Sequence, residues 1–150
     1  MKVNITKKEY IKLLDVFYIA DWIMHAFYSE ERIDTKAYRE LEQKFLSLAK
    51  EYGVDDLVEK ENNEELYLPT RKFEQESLAM GFIEEYEKDS YWDELIDQLS
   101  TRDLIEKHGP DAIRKTFEDE EINNEFEDLR EKYSNEFEVN GIKKLRLLNS

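Results

Sequence analysis

The sequence predicts a mainly α-helical single domain over residues 1 to 150: a bundle of about five helices around a buried N-terminal helix, with room for a minor β hairpin or a C-terminal strand. Three observations carry that expectation. The segment from Tyr10 to Tyr28, YIKLLDVFYIADWIMHAFY, is apolar or aromatic at fifteen of nineteen positions and is interrupted only by Lys12, Asp15, Asp21 and His25. A helix that is apolar almost all round is one its neighbours cover on several sides. Four glycines and two prolines in 150 residues leave few helix breakers, which favours long helices over a many-turned sandwich. Later segments repeat apolar residues at spacings of three and four.

The first helix starts with Thr6, whose partner Glu9 stands three residues on in the capping-box spacing. It is expected over residues 7 to 28, ending in the polar run Ser29-Glu30-Glu31-Arg32. Lys12 and Asp15 fall on its solvent side with Lys8. Asp34 or Thr35 caps a second helix with the stripe Tyr38, Leu41, Phe45, Leu48, Ala49 and Tyr52, closed by Gly53. The short connection makes it the antiparallel neighbour of the first. Between Val54 and Pro69 the helical period disappears. Leu57-Val58 and Leu66-Tyr67-Leu68 flank the turn-prone Asn62-Asn63, as in a small hairpin or a loop.

Thr70 caps a third helix over 71 to 87, on which Arg71 and Lys72 at the start and Glu84, Glu85 and Glu87 at the end oppose the helix dipole. Asp89 or Ser90 caps a fourth, striped by Trp92, Leu95, Ile96 and Leu99. Its phase slips at Ser100-Thr101, which predicts a kink or break before His108-Gly109-Pro110 ends it. The fifth starts near Pro110 or, after a break, near Thr116 with Asp119 at the capping-box spacing. Ile122, Phe126, Leu129, Tyr133 and Phe137 then keep one stripe as far as Asn140-Gly141. The segment from Ile142 to Leu148 is a short strand or a docked tail.

Absence of cysteine removes disulfides, thiolate nucleophiles and thiolate zinc sites. The N-terminus MKVNITKKEY lacks the apolar core of a signal peptide, and no apolar run reaches membrane-spanning length, so the default compartment is the cytoplasm. The net charge of −15 is uneven: residues 1 to 60 are net −2, residues 61 to 138 net −16, and residues 139 to 150 net +3. That sign disfavours direct contact with nucleic acid or anionic membrane and leaves a basic protein partner open. Solubility alone is the plainer reading of the same charge.

The most specific polar feature is Asp21 with His25, which at about 100° per residue share the aromatic side of the first helix. The functional reading is a general acid/base pair or two ligands of a shared metal; the structural reading is a satisfied pair that fixes helix register. Motifs that would complete a catalytic set are missing: no Glu-x-x-His, HExxH, phosphate loop or nucleophile elbow occurs, and two histidines are too few for a multi-histidine centre. His108 precedes a cap glycine, where a ring complements the helix end. Glu118-Asp119-Glu120-Glu121 lacks the alternating spacing and glycine of a calcium loop and reads first as a helix N-terminus, second as a binding patch. Tyr91-Trp92 is a candidate partner anchor or a piece of core. Lys143, Lys144 and Arg146 form a basic tail suited to docking on the acidic half.

These readings lead to a non-enzymatic acidic helical protein acting through protein–protein binding or regulation, with no cofactor and no bound metal expected. The alternative is a small metal-dependent or acid/base hydrolase using Asp21 and His25.

Overall fold

A computed structural model of the chain describes residues 3 to 28, 30, 32 to 61 and 66 to 146. The expected terminator at Ser29 and Glu31, the Asn62-Asn63 turn, and Leu147 and Leu148 lie outside the described residues. The fold is mainly helical, with six α-helices and one two-stranded antiparallel hairpin among the described residues. Its backbone divides into two compact units, residues 1 to 84 and residues 85 to 150. No helix among the described residues is long and apolar enough to cross a membrane.

In the first unit, α1 (Lys7–His25) opens with the expected capping box: the Glu9 N–H donates to Thr6 Oγ1 at 3.3 Å, and the Glu9 carboxylate accepts the Thr6 N–H at 2.7 Å. Burial on α1 is one-sided. Tyr10, Leu14 and Asp15 are buried and Phe17 and Tyr18 half-buried, while Val16 and Ile23 are exposed. The elements packed on α1 within the unit are short, so they cover a face and not the whole girth. Asp15, expected toward solvent, is buried because Ser77 and Lys12 both donate to its carboxylate, at 2.6 and 3.0 Å.

After a 3₁₀ turn (Ile33–Thr35), α2 (Lys36–Leu46) is shorter than its apolar period suggested. Beyond Leu46 the chain tightens into turns, with the Leu48 N–H bonding the Phe45 carbonyl and the Ala49 N–H that of Leu46. A Schellman pair closes it: Val54 N–H to Ala49 carbonyl at 2.9 Å and Gly53 N–H to Lys50 carbonyl at 3.1 Å, with Gly53 at φ 65°. The buried face is set by Leu46 and Ala49, and Tyr38 and Leu41 stay exposed. Tyr10 ties α1 to this corner. Its ring stacks on Tyr52 at 4.2 Å between centroids, and its hydroxyl donates to the Phe45 carbonyl at 2.5 Å.

The hairpin sits within the stretch from 54 to 69. Strand β1 (Val58–Lys60) pairs with β2 (Tyr67–Pro69), Val58 opposite Pro69 and Lys60 opposite Tyr67. Gln43 clips it to α2 through both backbone groups of one residue: its Nε2 donates to the Tyr67 carbonyl at 2.9 Å and its Oε1 accepts the Tyr67 N–H at 2.7 Å. The core beneath consists of Tyr10, Leu14, Leu46, Val54, Leu57 and Phe73, with smaller side chains between them.

Helix α3 (Arg71–Glu76), capped by Thr70, is only six residues long. The expected third helix breaks at Ser77, whose backbone is extended at ψ 145°. The Ser77 hydroxyl donates to buried Asp15 and accepts the Ala79 N–H at 3.0 Å, so it starts the next helix. That helix, α4 (Ala79–His108), runs uninterrupted for 30 residues through the cap expected at Asp89-Ser90 and the kink expected at Ser100-Thr101. Glu84, Glu85 and Glu87 therefore lie within a helix and not at its end, and their opposition to the dipole disappears.

In the second unit, α4 ends at Gly109 (φ 86°), whose N–H bonds the Ile105 carbonyl at 2.8 Å. Short α5 (Ala112–Thr116) leads to α6 (Glu120–Asn140), capped by the Asp119 carboxylate, which accepts the N–H groups of Glu121 and Ile122. Phe137 is the buried end of the α6 stripe, against Trp92 at 5.5 Å and Tyr133 at 6.0 Å. Gly141 (φ 55°) starts a 3₁₀ turn (Gly141–Lys144), and Lys144 bonds Glu136 at 3.0 Å. The described part of the C-terminal segment is thus a 3₁₀ turn with an exposed end, neither a strand nor a buried tail.

Ser77→Ala should lower the melting temperature by several degrees, equivalent to about 1 to 3 kcal/mol, since it leaves one oxygen of a buried carboxylate unbonded and removes a helix cap. Combining it with Asp15→Asn should cost less than the sum of the two, because they share one bond. Circular dichroism melting checks this; additive losses would show that Ser77 and Asp15 act separately.

Candidate functional site

The Asp21 and His25 side chains meet, as their helical spacing implies. His25 Nδ1 lies 2.7 Å from Asp21 Oδ1 and 3.1 Å from the Asp21 carbonyl, which places the Nδ1 proton on the Asp21 side. At the other edge of the ring, Nε2 is 2.7 Å from the hydroxyl of buried Thr35. Thr35 Oγ1 is also 3.1 Å from the Arg32 carbonyl. Its single proton goes to the ring when Nε2 is a bare lone pair, and to that carbonyl when Nε2 carries a proton and donates to Oγ1. Both ring nitrogens are therefore engaged, and the His25 side chain is only 10% exposed, against 40% for Asp21.

Asp21 also faces a different neighbourhood. Between α1, α2 and β2 lies a cavity of about 300 Å³ walled by Tyr18, Leu46, Tyr67 and Pro69, with Asp21 and Glu42 among its polar groups. Arg39 and Gln43 line it too, whereas His25 does not. Glu42 is the perturbed group: burial, with the Asp21 charge beside it, pushes its carboxyl up to about 7, against a smaller opposing pull from Arg39. A carboxyl that changes charge near neutral pH in an apolar-walled cavity is a group suited to binding or proton transfer. The Gln43 clip holds the hairpin wall in place before any ligand arrives.

Glu42 was missed because the apolar period of α2 pointed to Tyr38 and Leu41 as the buried side. The available signal was Leu46, four residues after Glu42 and on the same face. Once Leu46 is inside, Glu42 must point toward α1.

The other candidates are dispersed. His108 Nε2 bonds Glu125 at 2.9 Å, and Lys107 bonds the other oxygen of that carboxylate, which holds the Glu125 carboxyl below its ordinary range. In the run from Glu118 to Glu121, Arg114 pairs with Glu118 at 2.6 Å, Asp119 is the helix cap, and Glu120 and Glu121 occupy the first turn of α6. Among the described residues no three His, Cys, Asp or Glu side chains are grouped to hold a metal ion. Trp92 belongs to the core through Phe137, and Tyr91, edge-on to Trp92 at 5.0 Å, is 52% exposed. Compared with models of protein families, with curated proteins and with solved structures, the chain matches none.

The Glu42 carboxyl binds its proton more tightly folded than unfolded, so the folded state is favoured where that proton is held and loses ground as pH rises from about 4.5 to about 7. Glu42→Gln should match the parent in stability at pH 4 and exceed it by about 2 kcal/mol at pH 8, allowing for partial solvent access. Urea denaturation at the two pH values checks this. A gap that does not change with pH would contradict it.

Proposed function

We propose that the protein works by binding another protein, presenting an acidic, tyrosine-bearing face of its second unit to a basic surface. The observation that carries the reading is on α4: Glu87, Tyr91 and Glu94, spaced by four and three residues, share one helix face and are all exposed. Residues 85 to 150 hold 19 acidic and 10 basic groups, so the field around that face is negative. Further exposed carboxylates at Glu85 and Asp89 on α4, and Glu120, Glu121, Asp128 and Glu131 on α6, add to it.

A tyrosine among carboxylates supplies contact area at low side-chain entropy cost, while the charges steer a basic partner and exclude an acidic one. The same sign opposes phosphate backbones and anionic lipid, so neither nucleic acid nor membrane belongs to this reading. A cytoplasmic setting does. The hydrolase alternative has less behind it, because the Thr35 hydroxyl at His25 Nε2 is buried and His25 does not line the cavity that Asp21 reaches.

Fluorescence anisotropy with a labelled Lys/Arg-rich helical peptide tests the proposal. Affinity should fall at least tenfold between about 25 and 250 mM salt, as charge steering is screened. Glu87→Lys with Glu94→Lys should weaken binding by a similar factor, and Tyr91→Ala by severalfold. Reversal of exposed Glu51 and Asp55 in the first unit should leave affinity within about twofold. Binding that ignores salt, or that responds equally to both reversals, would refute it.

A further inference from the structure

We propose that the cavity between α1, α2 and the hairpin is a binding site for a small organic amine, its ammonium group set between Asp21 and Glu42 and its apolar body against Tyr18, Leu46, Tyr67 and Pro69. The volume of about 300 Å³ suits a ligand of one ring or a short chain. Charge decides the ligand class. Asp21 on α1 and Glu42 on α2 reach the same cavity, and the only basic side chain on its wall among the described residues is Arg39.

A cation between two carboxylates relieves the repulsion that otherwise disfavours charging the second of them. The tyrosine rings add a face that attracts cations, and Tyr67 already has the Lys60 ammonium 5.8 Å from its ring centroid. A carboxylate ligand would meet Asp21 instead. A neutral ligand would leave the Asp21–Glu42 repulsion in place.

The groups facing Glu42 are Asp21 and Tyr18 from α1, Arg39 from its own helix and Tyr67 from β2. With its carboxyl titrating at about 7, the empty site holds a proton at slightly acid pH, and an arriving ammonium displaces it to solvent. The amine itself stays protonated throughout. Binding should therefore tighten as pH rises from 6 to 8, by about tenfold, and release close to one proton at pH 6.

The probe is 2-phenylethylamine, compared with 2-phenylethanol and 3-phenylpropionate, which keep the ring and change the charge. Titration of the full chain followed by ¹H–¹⁵N spectra should give saturable shifts at Tyr18, Glu42, Gln43 and Tyr67 with the amine, at a Kd of about 1 mM or tighter. The alcohol and the acid should give at least tenfold weaker effects. Glu42→Gln should weaken amine binding severalfold at pH 8 and abolish its pH dependence. Calorimetry in two buffers of different ionisation enthalpy reads proton release on the unsubstituted chain, independently of any variant. No saturable shift at about 10 mM amine, equal response to the alcohol or the acid, or binding without proton release at pH 6 would each overturn the proposal.

Discussion

The first unit depends on what Tyr10 does at the end of α2. Its phenol is fully buried, and it makes two contacts of different kinds: a stacked ring pair with Tyr52 and a hydrogen bond to the Phe45 carbonyl. The Phe45 carbonyl already accepts the Leu48 N–H of the tightened turn, and the Tyr10 hydroxyl fills its second lone pair; the group that would be left buried and unbonded without this contact is the phenol donor itself. Burial, with Tyr52 and Glu51 nearby, pushes the Tyr10 hydroxyl up to about 12, so it keeps its proton and stays a donor over the working pH range. Lys7 adds a second tie to the same corner through the Gly53 carbonyl. With that corner fixed, Leu46 and Ala49 face inward, Glu42 turns toward α1, and Gln43 is placed to clip the hairpin.

Short polar bonds, more than apolar periodicity, decide where the elements of this chain begin and end. The apolar pattern from 71 to 108 fits two helices divided near residue 88, yet α4 crosses that point without a break. The division falls at Ser77 because buried Asp15 offers its hydroxyl an acceptor and the Ala79 N–H needs a cap. At Asp89-Ser90 a cap exists in sequence but is not used as one. Breaking the helix there would forfeit backbone bonds with no compensating tertiary contact.

Much of the fold could be read from residues alone where the signal was local. The Thr6–Glu9 box, the Gly53 and Gly109 terminators, the hairpin between 54 and 69 and the α6 stripe all rest on neighbours a few positions apart, whereas the α6 cap is Asp119 itself and not Thr116, which ends α5. What could not be read rests on distant partners. By spacing alone Asp15 falls on the solvent side, and its burial depends on Ser77, 62 residues away. The breadth of apolar residues on α1 suggested all-round burial, but periodicity does not report how large the neighbouring elements are. Of the site, the Asp21–His25 contact follows from helical spacing, whereas the Asp21–Glu42 relation required knowing which face of α2 points inward.

The two units carry different chemistry. The second has an acidic face with an exposed tyrosine, and the first has a walled cavity containing a carboxyl that titrates near neutrality. The cavity is a consequence of the Tyr10 corner, since α1 and α2 form two of its walls. Amide hydrogen exchange in Tyr10→Phe tests that dependence most directly. The substitution keeps the ring and removes only the donor, and amides from Leu46 to Val54 and at Tyr67 should exchange about tenfold faster, equivalent to roughly 1.4 kcal/mol of lost protection. Unchanged protection at those amides would contradict the account, because the α2 corner would then hold without the bond on which the rest of the unit is argued to depend.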